Sequence, residues 1–394
     1  MTPRQLPRAA ITGFVLVIAV GAVLLWRSTS SSPESSSSPA AEGASDAVAS
    51  ARSPKAPASS PQAAAPQEKS VKREQIPMPG CWEGLLELDK TASLDALRAA
   101  LAQAISNKDP YLASYLQERL TEVVGNDSAR ALQVLEWAAQ AAGPELNIYM
   151  DALKAAPAVR HPSVSERLLK LGEDKTAHLP NRAAALNALE TQHRFSPEAV
   201  QRLKAIALDT SADSAAWVAT RTLGRVMKED YERTGTYAPY WQELLDIGGK
   251  AEDQAVRMLA LEMPSYSDPI LDSASIDKLS ELMRKDPEKD VREMAAFRLA
   301  VTEDPQKALE AYRAAFDGEQ ELCVRWAMLR FAIRAAGAEA LPVVAEFAKK
   351  DPRLQQDYED FKKLYAEGTV DFARIWVGKE ERHNCTVEEG APHQ

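Results

Sequence analysis

Histidine and cysteine are the side chains best suited to nucleophilic or metal chemistry, and this 394-residue chain has five histidines and three cysteines. No two histidines have the spacing of metal ligands on one helix, and no Cys-x-x-Cys motif occurs. His383 and Cys385 form one His-x-Cys pair, without a second pair to complete a site. The Gly-x-Ser-x-Gly and His-Glu-x-x-His signatures of hydrolases are also missing. The sequence therefore predicts no metal, no cofactor, no catalytic residue and no enzyme.

The three cysteines allow one disulfide within the chain and leave one thiol over. Cys81 and Cys385 flank the helical part of the chain, and we hypothesise that they pair with each other. Cys323 lies in an apolar helical segment, where a free cysteine behaves as a small buried hydrophobic residue.

Aromatic side chains cluster in residues 228–249, beside Gly235 and Pro239. Aromatic residues on an inserted loop bury a large area at little entropy cost, so this cluster indicates a protein contact surface. The alternative is that Tyr240 and Trp241 begin the next helix and pack inward, and Trp241 is expected in the core in either case. The candidate partner-binding residues are Tyr231, Tyr237 and Tyr240.

Residues 9–26 form an uncharged apolar run, and a helix of this length spans about 27 Å, close to a hydrocarbon core of about 30 Å. A secretory signal peptide is the alternative, but its shorter apolar region ends at a small-residue cleavage site, whereas this run ends in Trp26 and Arg27. We therefore predict an uncleaved transmembrane anchor. Positive charge is denser in residues 1–8, which predicts a single-pass protein of the inner (plasma) membrane with a cytoplasmic N-terminus and a periplasmic or extracellular remainder.

Residues 27–75 are rich in Ser, Pro and Ala and have almost no large apolar side chain, so they are predicted to be a disordered linker. Residues 1–75 hold 8 of the 47 Lys+Arg and 5 of the 57 Asp+Glu, which leaves 39 positive and 52 negative side chains, a net charge of −13, beyond the linker. An acidic domain repels phosphate backbones, so no nucleic-acid partner is expected.

The composition, with 45% hydrophobic but only 6% aromatic residues, favours helices packed on helices, because strands prefer β-branched and aromatic side chains. From residue 109 onward, seven amphipathic segments recur at intervals of 35, 35, 35, 40, 35 and 33 residues, and each is predicted to be the second helix of a pair. The long interval contains the aromatic cluster of residues 228–249. The equivalent positions in the seven segments are Leu112, Asn147, Arg182, Trp217, Arg257, Arg292 and Arg325.

Asp-Pro dipeptides are predicted to mark helix starts, because the aspartate caps an unpaired amide and a proline in the first turn needs no amide hydrogen. Together with the recurring segments, they predict paired helices from residue 109 onward. The dipeptides begin at Asp109, Asp268, Asp286, Asp304 and Asp351.

One segment carries a family resemblance. It reads Asp286-Pro287-Glu288-Lys289-Asp290-Val291-Arg292, followed by Met294, Ala295, Ala296 and Leu299. This resembles the D-P-x-x-x-V-R-x-x-A-A-x-x-L helix of HEAT-like repeats, with a weaker copy over residues 317–332. The resemblance implies an all-α solenoid of helix pairs in which the aspartate caps the second helix and the arginine braces the neighbouring repeat. Tetratricopeptide-like repeats have a similar length and are the alternative architecture, although their W-x-x-L-G-x-x-Y start is missing.

The repeat domain is predicted to cover residues 76–368, followed by a tail of residues 369–394. A solenoid presents long surfaces rather than enclosed pockets, so we expect a scaffold or adaptor that binds a protein partner in the exported compartment. The alternative is a hydrolase or lyase that acts on an exported polymer, with its carboxylates hidden among the repeats.

Overall fold

The computed structural model describes residues 93–263 and 272–368, together with His383 and Cys385. The fold of these residues is all-α, with sixteen α-helices and four short 3₁₀ turns. The turns are Pro157–Arg160, Leu189–Thr191, Gly337–Ala340 and Pro352–Leu354. The helices are α1 (Leu94–Ser106), α2 (Pro110–Val124), α3 (Ser128–Gln140), α4 (Gly143–Ala155), α5 (Pro162–Glu173), α6 (Leu179–Ala188), α7 (Pro197–Ala207), α8 (Ser214–Thr234), α9 (Tyr240–Lys250), α10 (Gln254–Glu262), α11 (Ser273–Lys285), α12 (Lys289–Leu299), α13 (Pro305–Phe316), α14 (Leu322–Ala336), α15 (Leu341–Lys350) and α16 (Gln355–Glu367).

Consecutive helices pack in pairs, from α1 with α2 through to α15 with α16. Each helix between α4 and α13 also contacts the helices two places before and after it. The helices α2, α4, α6, α8, α10, α12 and α14 therefore form one row, here called the even row, and α3 to α15 form an odd row beside it. This packing is consistent with a helical-repeat fold. The seven segments predicted as second helices lie in the seven even-row helices, which confirms that part of the prediction.

The two rows differ in how much of each helix is buried. In α11 the buried apolar residues Ile276, Leu279 and Met283 follow one stripe at helical spacing, and the remaining surface is largely polar. In α12 every residue from 294 to 299 is buried, and in α14 every residue from 326 to 333 is buried. Both buried stretches cover more than one full turn and each includes an arginine, Arg298 in α12 and Arg330 in α14, so the middle of each helix is covered on all sides by the described part of the molecule.

Two Asp-Pro dipeptides cap helices as predicted. Asp109 accepts the Leu112 amide at 3.0 Å at the start of α2, and Asp304 accepts the Lys307 amide at 3.0 Å at the start of α13. The cap leaves proline as the first helical residue in both helices.

The other dipeptides differ from the prediction or lie outside the described residues. Asp286 accepts the amide of Glu288 at 2.9 Å, and it is Glu288 that occupies the cap position of α12, so the capping role that the resemblance implied for Asp286 is wrong. Asp351 and Pro352 open a 3₁₀ turn ahead of α16. Asp268 and Pro269 fall outside the described residues.

The five extra residues of the long interval lengthen a helix more than a loop. Helix α8 has 21 residues, and residues 228–234 continue it because Lys, Glu and Arg are good helix formers. Gly235, with φ of 69°, ends the helix in the left-handed conformation that glycine adopts without strain. The loop predicted over residues 228–249 is therefore reduced to residues 235–239, and Gly248 and Gly249 lie in the last turn of α9.

The structure pairs Cys385 with Cys323, whose Cα atoms are 5.6 Å apart. The hypothesised bond between Cys81 and Cys385 is therefore wrong, and Cys81 lies outside the described residues. Cys323 is the second residue of α14 and is only partly buried. It is therefore a disulfide-bonded residue at a helix end, and not the free core cysteine that its apolar neighbours in the sequence indicated.

Within residues 93–263 and 272–368, no helix is both long and apolar enough to cross a bilayer. The predicted anchor of residues 9–26 and the predicted linker of residues 27–75 lie outside the described residues. The predicted tail of residues 369–394 also lies outside them, apart from His383 and Cys385.

Candidate protein-binding site

Four even-row helices have an arginine as their fourth residue. Its guanidinium donates to backbone carbonyls at the end of the preceding helix or in the loop between the two helices. These bonds tie the start of each second helix to the connection that precedes it. We call these residues the arginine series. Its members and their carbonyl partners are Arg182 with Gly172, Arg257 with Ala251 and Glu252, Arg292 with Asp286 and Pro287, and Arg325 with Glu319.

The last three members also bind a carboxylate of the next helix pair. The nitrogen-to-oxygen distances are 3.2 Å for Arg257 to Asp286, 2.7 Å for Arg292 to Glu319 and 3.1 Å for Arg325 to Asp351. Each of these carboxylates is almost fully buried, so the pairs are charge-assisted bonds of low exposure. The bracing of neighbouring repeats that the resemblance to HEAT-like repeats implied is present at these three positions.

Helix α8 interrupts the arginine series, because its fourth residue is Trp217. The Trp217 side chain is 37% exposed, and among the described residues it is one of two large hydrophobic side chains that are exposed, the other being Tyr111. The Arg221 guanidinium, one turn further along α8, lies 4.8 Å from the centre of the indole ring. A cation over a tryptophan ring is attracted to its face, so this contact orients both side chains.

Arg221 also belongs to a charged cluster centred on Glu190, whose side chain is 3% exposed. The Glu190 carboxylate lies 2.6 Å from Nε of Arg221, 3.4 Å from Arg225 and 3.5 Å from Lys154. Asn187 accepts from both Arg221, at 2.8 Å, and Lys154, at 3.1 Å. These residues join α4, α6 and α8, and we call Lys154, Glu190, Arg221 and Arg225 the Glu190 cluster.

The residues of this region share one side of α8. At 3.6 residues per turn, Arg221, Lys228 and Tyr231 lie within about 40° of Trp217 around the helix, and Arg225 lies about 80° away. Tyr231 is about 21 Å from Trp217 along the helix axis. We call Trp217, Arg221, Arg225, Lys228 and Tyr231 the α8 face.

Two of the three predicted contact tyrosines lie together at the far end of this face. The rings of Tyr231 and Tyr237 stack in parallel, with centroids 3.9 Å apart and an angle of 4° between their planes. Both side chains are half-buried, so each keeps one part accessible to solvent. Their role in partner binding stays a prediction.

The third predicted contact residue, Tyr240, is fully buried, and so is Trp241 beside it apart from a small fraction. The Tyr240 hydroxyl accepts the Phe195 amide at 2.9 Å, and burial, followed by the nearby Asp230 charge, raises the pKa of Tyr240 to about 12. The assignment of Tyr240 to a contact surface is therefore wrong, because it is the first residue of α9 and points into the core. The expectation that Trp241 is a core residue is confirmed.

A cavity of about 170 Å³ lies between the α7–α8 and α9–α10 loops, beside the start of α8. Asp253 caps α10 through the Val256 amide at 3.0 Å, and Asp209 lies 2.8 Å from Lys175. The hydrogen bond from Lys175 is the largest cause that lowers the pKa of Asp209 to about 2, so this carboxylate stays ionised and is unsuited to general acid catalysis. Four carboxylates line the cavity, those of Asp209, Asp213, Glu252 and Asp253.

Sequence reasoning placed Trp217 in the repeat alignment but did not select it as a site residue. The signal was present, because the aligned residue is an arginine in the preceding segment and in each of the three that follow. The Glu190 cluster had no signal in the sequence, since its members come from α4, the 3₁₀ turn Leu189–Thr191 and α8. Among the described residues, no group of three or more His, Cys, Asp and Glu side chains is arranged to hold a metal ion.

No protein-family model, curated protein or solved structure matches the chain. A functional conclusion therefore depends on the residues described above. The α8 face combines an exposed tryptophan, a stacked tyrosine pair and several cationic side chains, which are the residue types that contribute most to protein interfaces.

Proposed function

We propose that this chain is a membrane-anchored scaffold or adaptor whose exported helical-repeat domain binds another protein through the α8 face. The observation that carries the proposal is the exposure of Trp217 at a position where four other even-row helices have an arginine. An arginine there would be bonded to its own repeat, whereas Trp217 presents its ring to solvent. Tryptophan, tyrosine and arginine dominate binding hot spots, so this substitution creates a contact surface at a position that elsewhere has a structural role.

The architecture that we propose for the chain is a HEAT-like α-solenoid on a flexible linker. The arginine series supports it, since the same residue at the same helical position braces successive pairs. The membrane anchor of residues 9–26 is supported by the length of the apolar run and by the arginine that closes it. A hydrolase or lyase would need available carboxylates beside a cavity. Those that line a cavity of about 560 Å³, Asp246, Glu281 and Asp286, are each paired with a lysine or arginine. Of the four around the 170 Å³ cavity, two are engaged by a helix start and by Lys175.

Site-specific photo-crosslinking in cells tests the binding surface. The photoreactive p-benzoylphenylalanine is placed at Ser214, the exposed first residue of α8, in the full-length chain with either Trp217 or Trp217→Ala. Ser214 lies within about 60° of Trp217 around the helix, and its replacement leaves the α8 face intact. A protein adduct that is lost in the Trp217→Ala chain supports the proposal. The matched control places the same amino acid at Tyr111, an aromatic residue that is 87% exposed but lies on α2. The proposal fails when no adduct forms at Ser214, or when the same adducts form at both positions.

The membrane assignment has its own experiment. The N-terminus of the protein recovered from the membrane fraction is sequenced, and a chain that begins at or near Met1 supports the anchor. A mature chain that begins after Ser28 would show that residues 9–26 are a cleaved signal and that the domain is exported without an anchor.

A further inference from the structure

The Glu190 cluster has more positive than negative groups. Three cationic side chains, those of Lys154, Arg221 and Arg225, surround one carboxylate that is 3% exposed. Asp151 lies near Lys154 and offsets part of the excess there, so the uncompensated charge is concentrated at Arg221 and Arg225 on α8.

Arg225 is the member of the cluster that is most available to a ligand. Its side chain is 59% exposed, and its ion pair with Glu190 is long, at 3.4 Å. A guanidinium has five N–H donors in a planar fork that matches a carboxylate, so most of the donors of Arg225 remain accessible. The exposed Lys228 ammonium, on the next turn of α8, adds positive charge to the same face, and the exposed Glu232 one turn further on offsets part of it, so the positive charge is centred on Arg221 and Arg225.

The neighbouring aromatic groups give this charged site a second kind of contact. The Arg221 guanidinium lies 4.8 Å from the centre of the Trp217 ring, and the Trp217 side chain is 37% exposed. A ligand that reaches Arg221 and Arg225 therefore also lies beside an apolar surface. The stacked rings of Tyr231 and Tyr237 form a second aromatic contact near the end of α8, about 21 Å along the helix axis from Trp217. A peptide segment with acidic and apolar side chains is complementary to such a face.

The charge of the rest of the chain makes the site selective. Residues 76–394 have a net charge of −13, so an acidic partner is repelled by most of the domain and attracted at the α8 face. Electrostatic complementarity of this kind fixes the register of a complex and suppresses other docking modes.

We propose, on the basis of the proposed function, that the partner presents an acidic peptide segment whose carboxylates bind Arg221 and Arg225 and whose apolar side chains pack on Trp217. An anionic membrane is the other negatively charged surface in the exported compartment. It attracts cations spread over a flat face, whereas here the cations converge on one buried carboxylate beside an aromatic ring.

Fluorescence anisotropy of the full-length chain in zwitterionic detergent tests the inference. The probe is a fluorescein-labelled peptide of six glutamates flanked by two leucines on each side, and the control peptide has glutamines in place of the glutamates. We expect binding of the glutamate peptide that weakens as salt is raised, no binding of the glutamine peptide, and at least a tenfold loss of affinity in Arg225→Gln. The matched control is Arg284→Gln, which removes an exposed positive charge from α11 and should leave affinity within about twofold.

Equal binding of both peptides, or equal losses in the two variants, overturns the acidic-segment inference. Vesicles with 30% phosphatidylserine provide a further arm, and binding to them that depends on Arg225 without binding of the peptide would also overturn it. The proposed function is judged separately by the crosslinking experiment. A specific adduct at Ser214 without peptide binding keeps the protein-binding function and rejects its acidic chemistry, whereas peptide binding without any adduct rejects the function.

Discussion

Two tryptophans lie near the start of two even-row helices and have opposite environments. Trp326 is the fifth residue of α14 and is fully buried, and its indole nitrogen donates to Asp357 at 3.3 Å. The ring of His383 packs against it edge to face, with centroids 5.5 Å apart. Trp217 is the fourth residue of α8, is 37% exposed, and has Arg221 of its own helix over its ring.

The difference lies in what covers each helix. The middle of helix α14 is buried on all sides, and His383 and Cys385 contribute to its cover, since Cys385 is bonded to Cys323 and the His383 ring packs on Trp326. Helix α8 is polar on its outer side, where Arg225, Lys228 and Glu232 are exposed. One row of helices therefore has a region that the chain itself covers and an exposed region, the α8 face, which is the proposed binding surface.

The largest expected effect comes from the covered region. Replacing Cys323 and Cys385 together by alanine removes a crosslink between residues 62 positions apart and should lower the free energy of unfolding by about 2–4 kcal/mol. The measurement is urea unfolding followed by circular dichroism. Reduction of the wild-type chain by dithiothreitol should give the same shift in midpoint, and a reduced chain as stable as the oxidised one would contradict the role of the bond.

A second large effect is expected from the arginine series. Arg292→Ala removes two hydrogen bonds to Glu319 and two to backbone carbonyls, and it leaves the buried Glu319 carboxylate without that cation, at a cost of about 2–3 kcal/mol. Arg225→Ala on the α8 face should cost less than about 0.5 kcal/mol, because its one ion pair is long, its guanidinium is 59% exposed, and Glu190 keeps Arg221 and Lys154 as partners. Equal losses of stability in the two variants would remove the distinction between bracing and surface arginines.

Acid should weaken the bracing at the end of the series. Hydrogen bonds from Arg353, opposed by burial and reinforced by Arg325, lower the pKa of Asp351 to about 2, below the value of about 3.9 in an unfolded chain. The stability that Asp351 contributes is therefore present above about pH 4 and is lost as the pH falls toward 2. Melting temperatures of the wild type and Asp351→Asn should differ at pH 6 and converge near pH 2, and a constant difference would contradict the assignment.

Packing and binding on α8 can be separated by two neighbouring residues, the buried Gly224 and the exposed Arg225. A Cβ atom on Gly224 would overlap the Met263 side chain, so Gly224→Ala should destabilise the domain by about 1–3 kcal/mol despite the better helix propensity of alanine. Peptide binding per folded molecule should be retained, because the change removes no side chain of the α8 face. Arg225→Ala should show the reverse, with stability retained and peptide binding lost. A stabilised Gly224→Ala variant would indicate that α8 and Met263 are not packed this closely.

The pairing of helices could be predicted from the sequence because an amphipathic segment recurs at nearly constant spacing. The length of α8 could not, since Gly235 and Pro239 indicated a loop while residues 228–234 are helix formers that continue the preceding helix. The disulfide could not be assigned because spacing does not determine cysteine connectivity. The burial of individual aromatic residues could not be predicted from the sequence either, and this produced two errors in the site prediction. Tyr240 was placed on the surface and is in the core, and Trp217 was left in the alignment and is exposed.

The smallest expected effect on stability, and the sharpest test of the comparison, comes from Trp217→Arg. An arginine at this position should reach the preceding loop as Arg257 does, so the free energy of unfolding should change by less than about 1 kcal/mol. Capture of the partner by a crosslinker at Ser214 should be lost, because the exposed indole is gone. Tyr111→Arg is the matched control on α2 and should leave capture unchanged. A large loss of stability would instead make Trp217 a packing residue like Trp326, and retained capture with intact stability would place the contact elsewhere on the domain.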